Sequence, residues 1–158
     1  LLAGPQMPNF IRSWDAFAAR MPDTARTRVR QLGVLSDSQK RDFFAGIDLF
    51  ALPSRSDSFG LVLLEAWANG VPNVAYRAGG IADVIRHERD GLLVPCGDID
   101  GLSRALDRLC NDVEARADMG MAGQARLARE FRWHDKLTLV RESIAARISS
   151  QKRDFSLA

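Results

Sequence analysis

The segment Pro53-Ser-Arg-Ser-Asp-Ser-Phe-Gly-Leu-Val-Leu-Leu-Glu-Ala-Trp-Ala-Asn-Gly-Val-Pro72 decides the fold. The apolar run before its first proline is typical of a buried strand that stops there. A polar loop rich in helix-capping side chains follows, and a helix is predicted to begin at Phe59 or Gly60. The closing Asn-Gly-Val-Pro is typical of a helix end. The segment therefore predicts a strand, a loop and a helix in succession.

The start of this predicted helix suits an anionic ligand. Gly60 keeps the first turn free of a side chain, so a diphosphate could approach the N–H groups where the helix dipole also favours negative charge. Leu61 and Glu65 are four positions apart and share one face, with Ser58 one turn earlier on the same side. If Glu65 is buried, it must accept hydrogen bonds. Two sugar hydroxyls would satisfy it, and so would the N–H groups of a neighbouring loop, so both interpretations stay open.

Short apolar runs alternate with helical patterns along the whole chain. The predicted strands are Leu1–Ala3, Val29–Leu32, Leu49–Leu52, Val74–Tyr76 and Leu92–Val94. The predicted helices are Phe10–Arg20, Ser38–Ala45, Phe59–Asn69, Ile81–Arg86, Asp98–Cys110, Val113–Arg129 and Trp133–Ile148. Strands joined by single helices form a doubly wound parallel sheet that binds ligands at the carboxyl ends of its strands. We predict an α/β, Rossmann-like domain over residues 1–150 with extra carboxyl-terminal helices, and a mobile polar tail over 151–158.

The composition is that of an ordinary globular domain of 158 residues. Its 22 basic and 20 acidic side chains are interleaved, which argues against nucleic acid as a partner. Two cysteines outside any Cys-x-x-Cys pair fit a reducing, cytoplasmic setting. No apolar run is long enough for a membrane span. The chain opens on an apolar run without an initiator Met, so we expect that earlier sequence was removed and that the domain is truncated at its amino end.

The segment that ends at Pro72 resembles the signature of retaining family 4 glycosyltransferases, which reads Pro-Ser, then Glu-x7-Glu, then Gly-x-Pro. Asp57 and Glu65 are eight positions apart and stand at the two acidic positions. Further similarity lies in the flanking motifs Leu1–Gly4, Val29–Gly33, Gly79-Gly80, Asp90–Val94 and Phe131–Trp133. The resemblance implies the carboxyl-terminal half of a glycosyltransferase B fold, which binds a nucleoside diphosphate sugar.

The resemblance also implies roles for individual residues. Glu65 would hold the ribose hydroxyls, and the amides around Gly60 and Leu61 would hold the phosphates. Asp57, one methylene shorter than the family's glutamate, would face the transferred sugar. The implied catalytic residues are Asp57 and Glu65. The implied donor-binding residues are Arg30, Leu32, Ser58, Phe59, Gly60, Leu61 and Glu65.

Two arginines have both a ligand-binding and a structural interpretation. Arg30 and Leu32 match the stretch where the family packs the nucleobase, on which a guanidinium can stack. The alternative for Arg30 is a solvated side chain at a strand end. Arg55 lies in the polar loop and is a candidate for phosphate binding. Its alternative is a solvated loop arginine.

The implied reaction transfers the sugar with retention at its anomeric carbon and without a metal or other cofactor. A missing amino-terminal domain would hold the acceptor, so we expect the chain alone to be inactive. A non-catalytic nucleotide-binding or interaction module of the same fold is an alternative, and so is a nucleotide-sugar epimerase or phosphorylase. Enzymes of this family often work at a membrane surface, which leaves peripheral membrane contact of the full-length enzyme open. The interleaved charges of the last helices favour a solvated face.

Other sequence signals are interpreted structurally. Asp98-Ile-Asp100 has the form of an Asp-x-Asp metal motif, but it precedes an amphipathic helix, where aspartate is a typical cap. His87 and His134 stand in unrelated contexts. Gly79-Gly80 is too short for a dinucleotide fingerprint. We therefore predict no metal site and no dinucleotide site.

Overall fold

The computed structural model describes residues 1–155, and its description of side chains leaves out positions 133, 136, 146 and 148–155. The chain forms two compact units, of which the first spans Leu1–Gly46 and the second begins at Ile47. The first unit contains β1 (Leu2–Ala3), α1 (Pro8–Ala18), α2 (Asp23–Arg26), β2 (Gln31–Gly33) and α3 (Asp37–Ala45). The second contains β3 (Phe50–Leu52), α4 (Leu61–Ala68), β4 (Asn73–Arg77), α5 (Ile81–Val84), β5 (Gly91–Pro95), α6 (Ile99–Asn111), α7 (Val113–Glu130) and α8 (Trp133–Phe155).

The first unit is built on two parallel strands. Leu2 of β1 lies opposite Gln31 of β2, and the register shifts before the next pair. The following helix, α3, begins with a capping box: the Ser36 hydroxyl accepts from the Gln39 N–H, and the Gln39 side chain accepts from the Ser36 N–H. These reciprocal bonds satisfy donors that a helix start otherwise leaves unpaired.

The second unit is a three-stranded parallel sheet in the order β3-β4-β5, with helices on both faces. Successive residues of the central strand point to opposite faces. One core cluster, under α4 and α5, contains Leu63, Trp67, Ala75, Ile81, Val84, Ile85 and Leu93. The other, under α6 and α7, contains Val74, Tyr76, Ala78, Leu92, Val94, Leu109 and Met119. Every residue of β4 and of β5 except the last is buried, and burial on both faces explains why Val74–Tyr76 and Leu92–Val94 are continuously apolar. The predicted burial does not hold for β1 and β2, whose residues are mostly exposed.

The predicted α/β fold is confirmed, with all predicted strands present and their ends shifted by at most two residues. The strands are distributed over two sheets, one in each unit, whereas a single sheet was predicted. The four-residue helix α2 was not predicted, whereas the helix predicted at Ile81–Arg86 is present as α5 and ends two residues earlier. Positions 151–155 of the predicted polar tail belong to α8, and positions 156–158 lie outside the described residues. Within the described part of the chain, none of the helices combines the length and apolar character needed to cross a bilayer.

Helix α7 packs closely against α4 through Gly123. A Cβ added at Gly123 would lie 2.2 Å from the ring of Trp67, whose side chain is fully buried. The indole Nε1–H of Trp67 donates to the carbonyl oxygen of Asp90 at 2.9 Å. The ring therefore cannot move aside without losing a buried hydrogen bond, so this contact requires glycine.

Gly123→Ala is expected to lower the free energy of unfolding by about 1–3 kcal/mol, because overpacking outweighs the better helix propensity of alanine. Chemical denaturation measures this change. The exposed neighbour Ala122 provides a matched control, since Ala122→Gly should cost about 1 kcal/mol through helix propensity alone. A Gly123→Ala variant more stable than the parent would contradict the described packing.

A cluster of charged side chains lies near the end of α7. The buried Arg126 donates to Asp90 Oδ2 at 3.1 Å and, through Nε, to Glu130 Oε2 at 2.8 Å. The Glu130 carboxylate also accepts hydrogen bonds from Arg129 at 2.8 Å and from Arg86 at 3.0 Å. Hydrogen bonds from Arg126 and Arg129, with a smaller contribution from Arg86, lower the pKa of Glu130 to about 2.

This cluster predicts a pH dependence of stability. The pKa of Glu130 is lower in the folded chain than its unfolded value of about 4.3, so the ionised carboxylate stabilises the fold above that pH. The contribution is lost as the pH falls from about 4.3 toward the folded pKa of about 2. Compared with the parent, Glu130→Gln should therefore be less stable at neutral pH, and the difference should shrink in acid. Urea denaturation across this range measures the difference, and a constant value would contradict the account.

Candidate functional site

The loop after β3 ends in a sharp turn into α4. Gly60, immediately before the first helical residue Leu61, adopts a left-handed backbone conformation with φ +78°. A Cβ there would lie 2.8 Å from Leu63 Cδ1 and would also strain the backbone. The helix thus begins one or two residues after the predicted start. Gly60 is buried, and the space beside its Cα is filled by Leu63 and Ile81, so this position requires glycine for packing against the core.

The carboxylate of Asp57 bonds to its own loop. Its Oδ1 accepts from the Phe59 N–H at 3.0 Å and from the Gly60 N–H at 2.6 Å. Aspartate has the right length for N–H groups two and three residues ahead, whereas the extra methylene of glutamate would carry the carboxylate past them. The Gly60 N–H, predicted to hold a phosphate, is therefore bonded to Asp57. Asp57 Oδ2 makes no hydrogen bond with any described residue, so it is the oxygen left to face a ligand.

Two N–H groups remain at the start of α4. In the part of the chain that the structure describes, the N–H groups of Leu61 and Val62 donate no hydrogen bond, while that of Leu63 bonds to the Gly60 carbonyl at 2.9 Å. Such donors attract anions, and the helix dipole adds to the attraction. Val62 was not among the predicted site residues, because the spacing of residues did not show that Asp57 would bond to the Gly60 N–H.

Glu65 lies one turn into α4 from Leu61. It is half-buried, and its Oε2 atom is shielded from solvent. A carboxylate oxygen in that position needs hydrogen-bond donors. By contrast, Ser58, Phe59 and Leu61 are exposed. Six of the predicted site residues, Asp57 among them, lie on the continuous segment 57–65. The assignment of Glu65 to a ribose or to a neighbouring loop stays a prediction.

An apolar cleft of about 580 Å³ opens beside this helix start. It is lined by Asp57, Ser58, Phe59, Gly60, Leu61, Val62, Leu64 and Phe131. The ring of Phe131 packs edge-on against Phe59 with 6.1 Å between centroids, and the Arg126 guanidinium lies 5.3 Å from the Phe131 centroid. From the sequence, Phe131 belonged only to a flanking motif, because its place in the cleft depends on the packing of the end of α7 against this loop.

The loop rests on the glycine pair that follows β4. The Gly80 N–H donates to the carbonyl oxygen of Asp57 at 3.0 Å. A Cβ on Gly80 would lie 2.1 Å from the carbonyl oxygen of Ser58, and a Cβ on Gly79 would lie 2.2 Å from that of Asp57. Neither position admits a side chain without movement of the loop. From the sequence, this pair was a flanking motif of the family resemblance and too short for a dinucleotide fingerprint; its contact with the loop was not predicted.

The remaining predicted ligand-binding residues are exposed. Arg30 and Leu32 lie in the first unit: Arg30 immediately precedes β2, and Leu32 is part of that strand. Their contact with a nucleobase stays a prediction. Arg55 is also exposed, and its guanidinium lies beside Gly97 in the loop after β5.

The structural interpretation of the Asp-x-Asp signal is confirmed. Asp98 Oδ1 accepts from the Gly101 N–H at 2.8 Å and caps α6. His87 Nδ1 accepts a hydrogen bond from the Leu93 N–H at 3.0 Å. Among the described residues, no three His, Cys, Asp or Glu side chains gather in a group that could hold a metal ion.

Comparison with known proteins assigns the family. The family model "Glycosyl transferases group 1" matches residues 24–126. The D-inositol 3-phosphate glycosyltransferase of Pseudarthrobacter chlorophenolicus is 38% identical over 120 residues, covering 76% of this chain and 28% of the relative. The sulfoquinovosyl transferase SQD2 of Arabidopsis thaliana is 35% identical over 112 residues, covering 69% of this chain and 22% of the relative.

Solved structures agree with this family. The crystal structure of Anabaena HepE in complex with UDP-glucose aligns with a TM-score of 0.77 at 25% identity, covering 94% of this chain and 40% of that one. The chain spans about a quarter of the length of the two curated relatives. From the family match and the shared architecture, the chain belongs to the group 1 glycosyltransferases and has the Rossmann-like fold of the carboxyl-terminal half of a glycosyltransferase B enzyme.

Proposed function

We propose that this chain binds a nucleoside diphosphate sugar at the start of α4 and forms the donor-binding part of a retaining glycosyltransferase. The observation that carries the proposal is the pair of N–H donors on Leu61 and Val62, one turn from the solvent-shielded oxygen of Glu65. The UDP-glucose complex of HepE supports the same class of ligand for this chain.

The start of α4 would neutralise the diphosphate. Its two N–H groups and the positive end of the helix dipole would bind the phosphate oxygens. When the bond from the anomeric carbon to the phosphate oxygen breaks, the leaving diphosphate gains negative charge. Donors already held in place stabilise that charge in the transition state. In this proposal the transfer needs no metal, so a chelator should leave the affinity for a nucleoside diphosphate unchanged.

The two carboxylates would recognise different parts of the donor. Glu65 would accept hydrogen bonds from the ribose hydroxyls. Asp57 would hold the loop through Oδ1 and accept from a hydroxyl of the transferred sugar through Oδ2. In the first unit, Arg30 and Leu32 would pack against the nucleobase.

Transfer would require the part of the family proteins that this chain does not cover. The chain spans about a quarter of its curated relatives, and we propose that an amino-terminal domain holds the acceptor. The chain alone should then bind the donor and transfer no sugar. A cytoplasmic setting belongs to the same proposal, whereas peripheral membrane contact of the full-length enzyme stays the alternative to the solvated face that the interleaved charges favour.

The bonds of Asp57 within its loop favour a second candidate, a nucleotide-binding module without a catalytic role. Asp57→Asn separates the two, because asparagine keeps an oxygen at the Oδ1 position but replaces the carboxylate. If Oδ2 contacts the sugar, the variant should bind a nucleoside diphosphate as the parent does and the nucleotide sugar more weakly. Equal affinity of variant and parent for both ligands would favour the module.

A thermal-shift panel of UDP, GDP and ADP tests donor binding. A ligand at 100 times its dissociation constant stabilises a protein by about 2.7 kcal/mol, which should raise the melting temperature of a chain this size by about 5–10 °C. Inorganic phosphate at the same concentration is the control for binding of any anion. The absence of a shift with all three nucleotides would overturn the proposal.

A further inference from the structure

The contact between Gly80 and loop 57–60 links two segments that are distant in sequence. The Gly80 N–H bonds to the carbonyl oxygen of Asp57, while the carboxylate of the same Asp57 bonds to the N–H groups of Phe59 and Gly60. One residue therefore connects the end of β4 with the start of α4. A displacement at Gly80 would be transmitted through Asp57 to the helix start.

We infer that Gly80 is a positioning residue for the diphosphate of the donor. It holds the loop at the distance and orientation that direct the N–H groups of Leu61 and Val62 toward the ligand. The inference rests on the proposed function and deepens it, because it names what shapes the phosphate site. The glycine pair is thus part of that site although it lies outside the motif of Asp57 and Glu65.

Burial indicates which of the two segments in contact, the end of β4 or loop 57–60, would move if Gly80 carried a side chain. Asn73, Val74, Ala75 and Tyr76 of the strand that leads to the pair are buried, as is Ile81 immediately after it. Ser58 and Phe59 in the loop are exposed. A methyl group on Gly80, 2.1 Å from the Ser58 carbonyl oxygen, should therefore push the loop outward rather than distort the strand.

The backbone conformation of Gly80 makes a clean substitution available. Its φ of −69° and ψ of −12° are helical values that alanine adopts without strain. The effect of Gly80→Ala therefore comes from the contact with Ser58. Gly70, with φ +69° and no heavy atom within 4 Å of an added Cβ, provides the matched control. Gly70→Ala strains the backbone at the other end of α4 and leaves the loop untouched.

The test compares a nucleoside diphosphate with its nucleoside, using whichever of UDP, GDP and ADP the parent chain binds most tightly. Gly80→Ala should weaken diphosphate binding by about tenfold or more, the loss expected for one charge-assisted hydrogen bond, and should leave nucleoside binding nearly unchanged. Gly70→Ala should keep the parent's ratio of the two affinities. Titrations followed by NMR measure the dissociation constants of both the diphosphate and the more weakly bound nucleoside.

Each outcome has a distinct meaning. If Gly80→Ala weakens both ligands in proportion, or neither, Gly80 has no positioning role and the inference is overturned. If the parent binds none of the three diphosphates, the proposed function itself fails. If Gly80→Ala does not fold, hydrogen exchange in the parent decides. The diphosphate should then protect the Gly80 amide more than the nucleoside does at equal saturation, and equal protection would overturn the inference.

Discussion

Replacing Glu65 by alanine is expected to weaken nucleoside diphosphate binding by about 10–100-fold, because a carboxylate that accepts from two ribose hydroxyls contributes about 1.5–3 kcal/mol. The Oε2 atom of Glu65 is shielded from solvent in the described chain, so its bonds to a ligand would form away from competing water. Isothermal titration calorimetry on the parent and the variant measures the change. Glu114→Ala, in the first turn of α7, is the control for loss of an exposed acidic side chain.

A modified ligand separates the two interpretations of Glu65. If the carboxylate holds the ribose, a 2′,3′-dideoxynucleoside diphosphate should bind the parent and Glu65→Ala equally, because the bonds in question are already missing. If Glu65 instead caps a neighbouring loop, the variant should lose affinity for the dideoxy and the ordinary ligand by the same factor. This second result would withdraw Glu65 from the donor site while leaving the phosphate site intact.

Arg126→Met is expected to lower the free energy of unfolding by about 3–5 kcal/mol, because it leaves the buried carboxylate of Asp90 without its cationic partner. The substitution also removes the bond to the Val84 carbonyl and the contact of the guanidinium with Phe131. Chemical denaturation measures the loss at neutral pH.

A double variant tests the cause of that loss. Arg126→Met combined with Asp90→Asn should recover part of the stability, because the second change removes the unpaired buried charge. Asparagine at this position can still accept a hydrogen bond from the Arg86 N–H, whose nitrogen lies 2.7 Å from Asp90 Oδ1 in the parent. A loss below about 1 kcal/mol for Arg126→Met alone would show that this pair is solvated and does not hold α7 in place.

The fold could be predicted from sequence because its signals are local. The strands β4 and β5 are short runs of apolar residues, and Gly70 with Pro72 ends α4 in the expected place. The division into two sheets could not be predicted, since strand pairing depends on contacts between distant residues. The buried pair of Arg126 and Asp90 escaped prediction for the same reason: both residues resemble surface charges in sequence, and only the packing of α7 buries them.

In the candidate site, too, contacts that depend on the folded structure could not be predicted from the sequence. The spacing of Asp57 and Glu65 located the loop and the helix, but not which N–H groups would be left for a ligand. The hydrogen bonds of Asp57 decide that, and they depend on the left-handed turn at Gly60. The support from Gly79-Gly80 is a contact between backbones, which no pattern of side chains reveals.

The central claim is that a nucleoside diphosphate binds at the start of α4, and a titration of the ¹⁵N-labelled chain with UDP, GDP and ADP tests it most directly. We expect the largest changes in amide chemical shift at Leu61 and Val62, whose N–H groups have no partner among the described residues, and little change at either position with the nucleoside alone. Saturable binding of a diphosphate that leaves both amides unchanged would contradict the account.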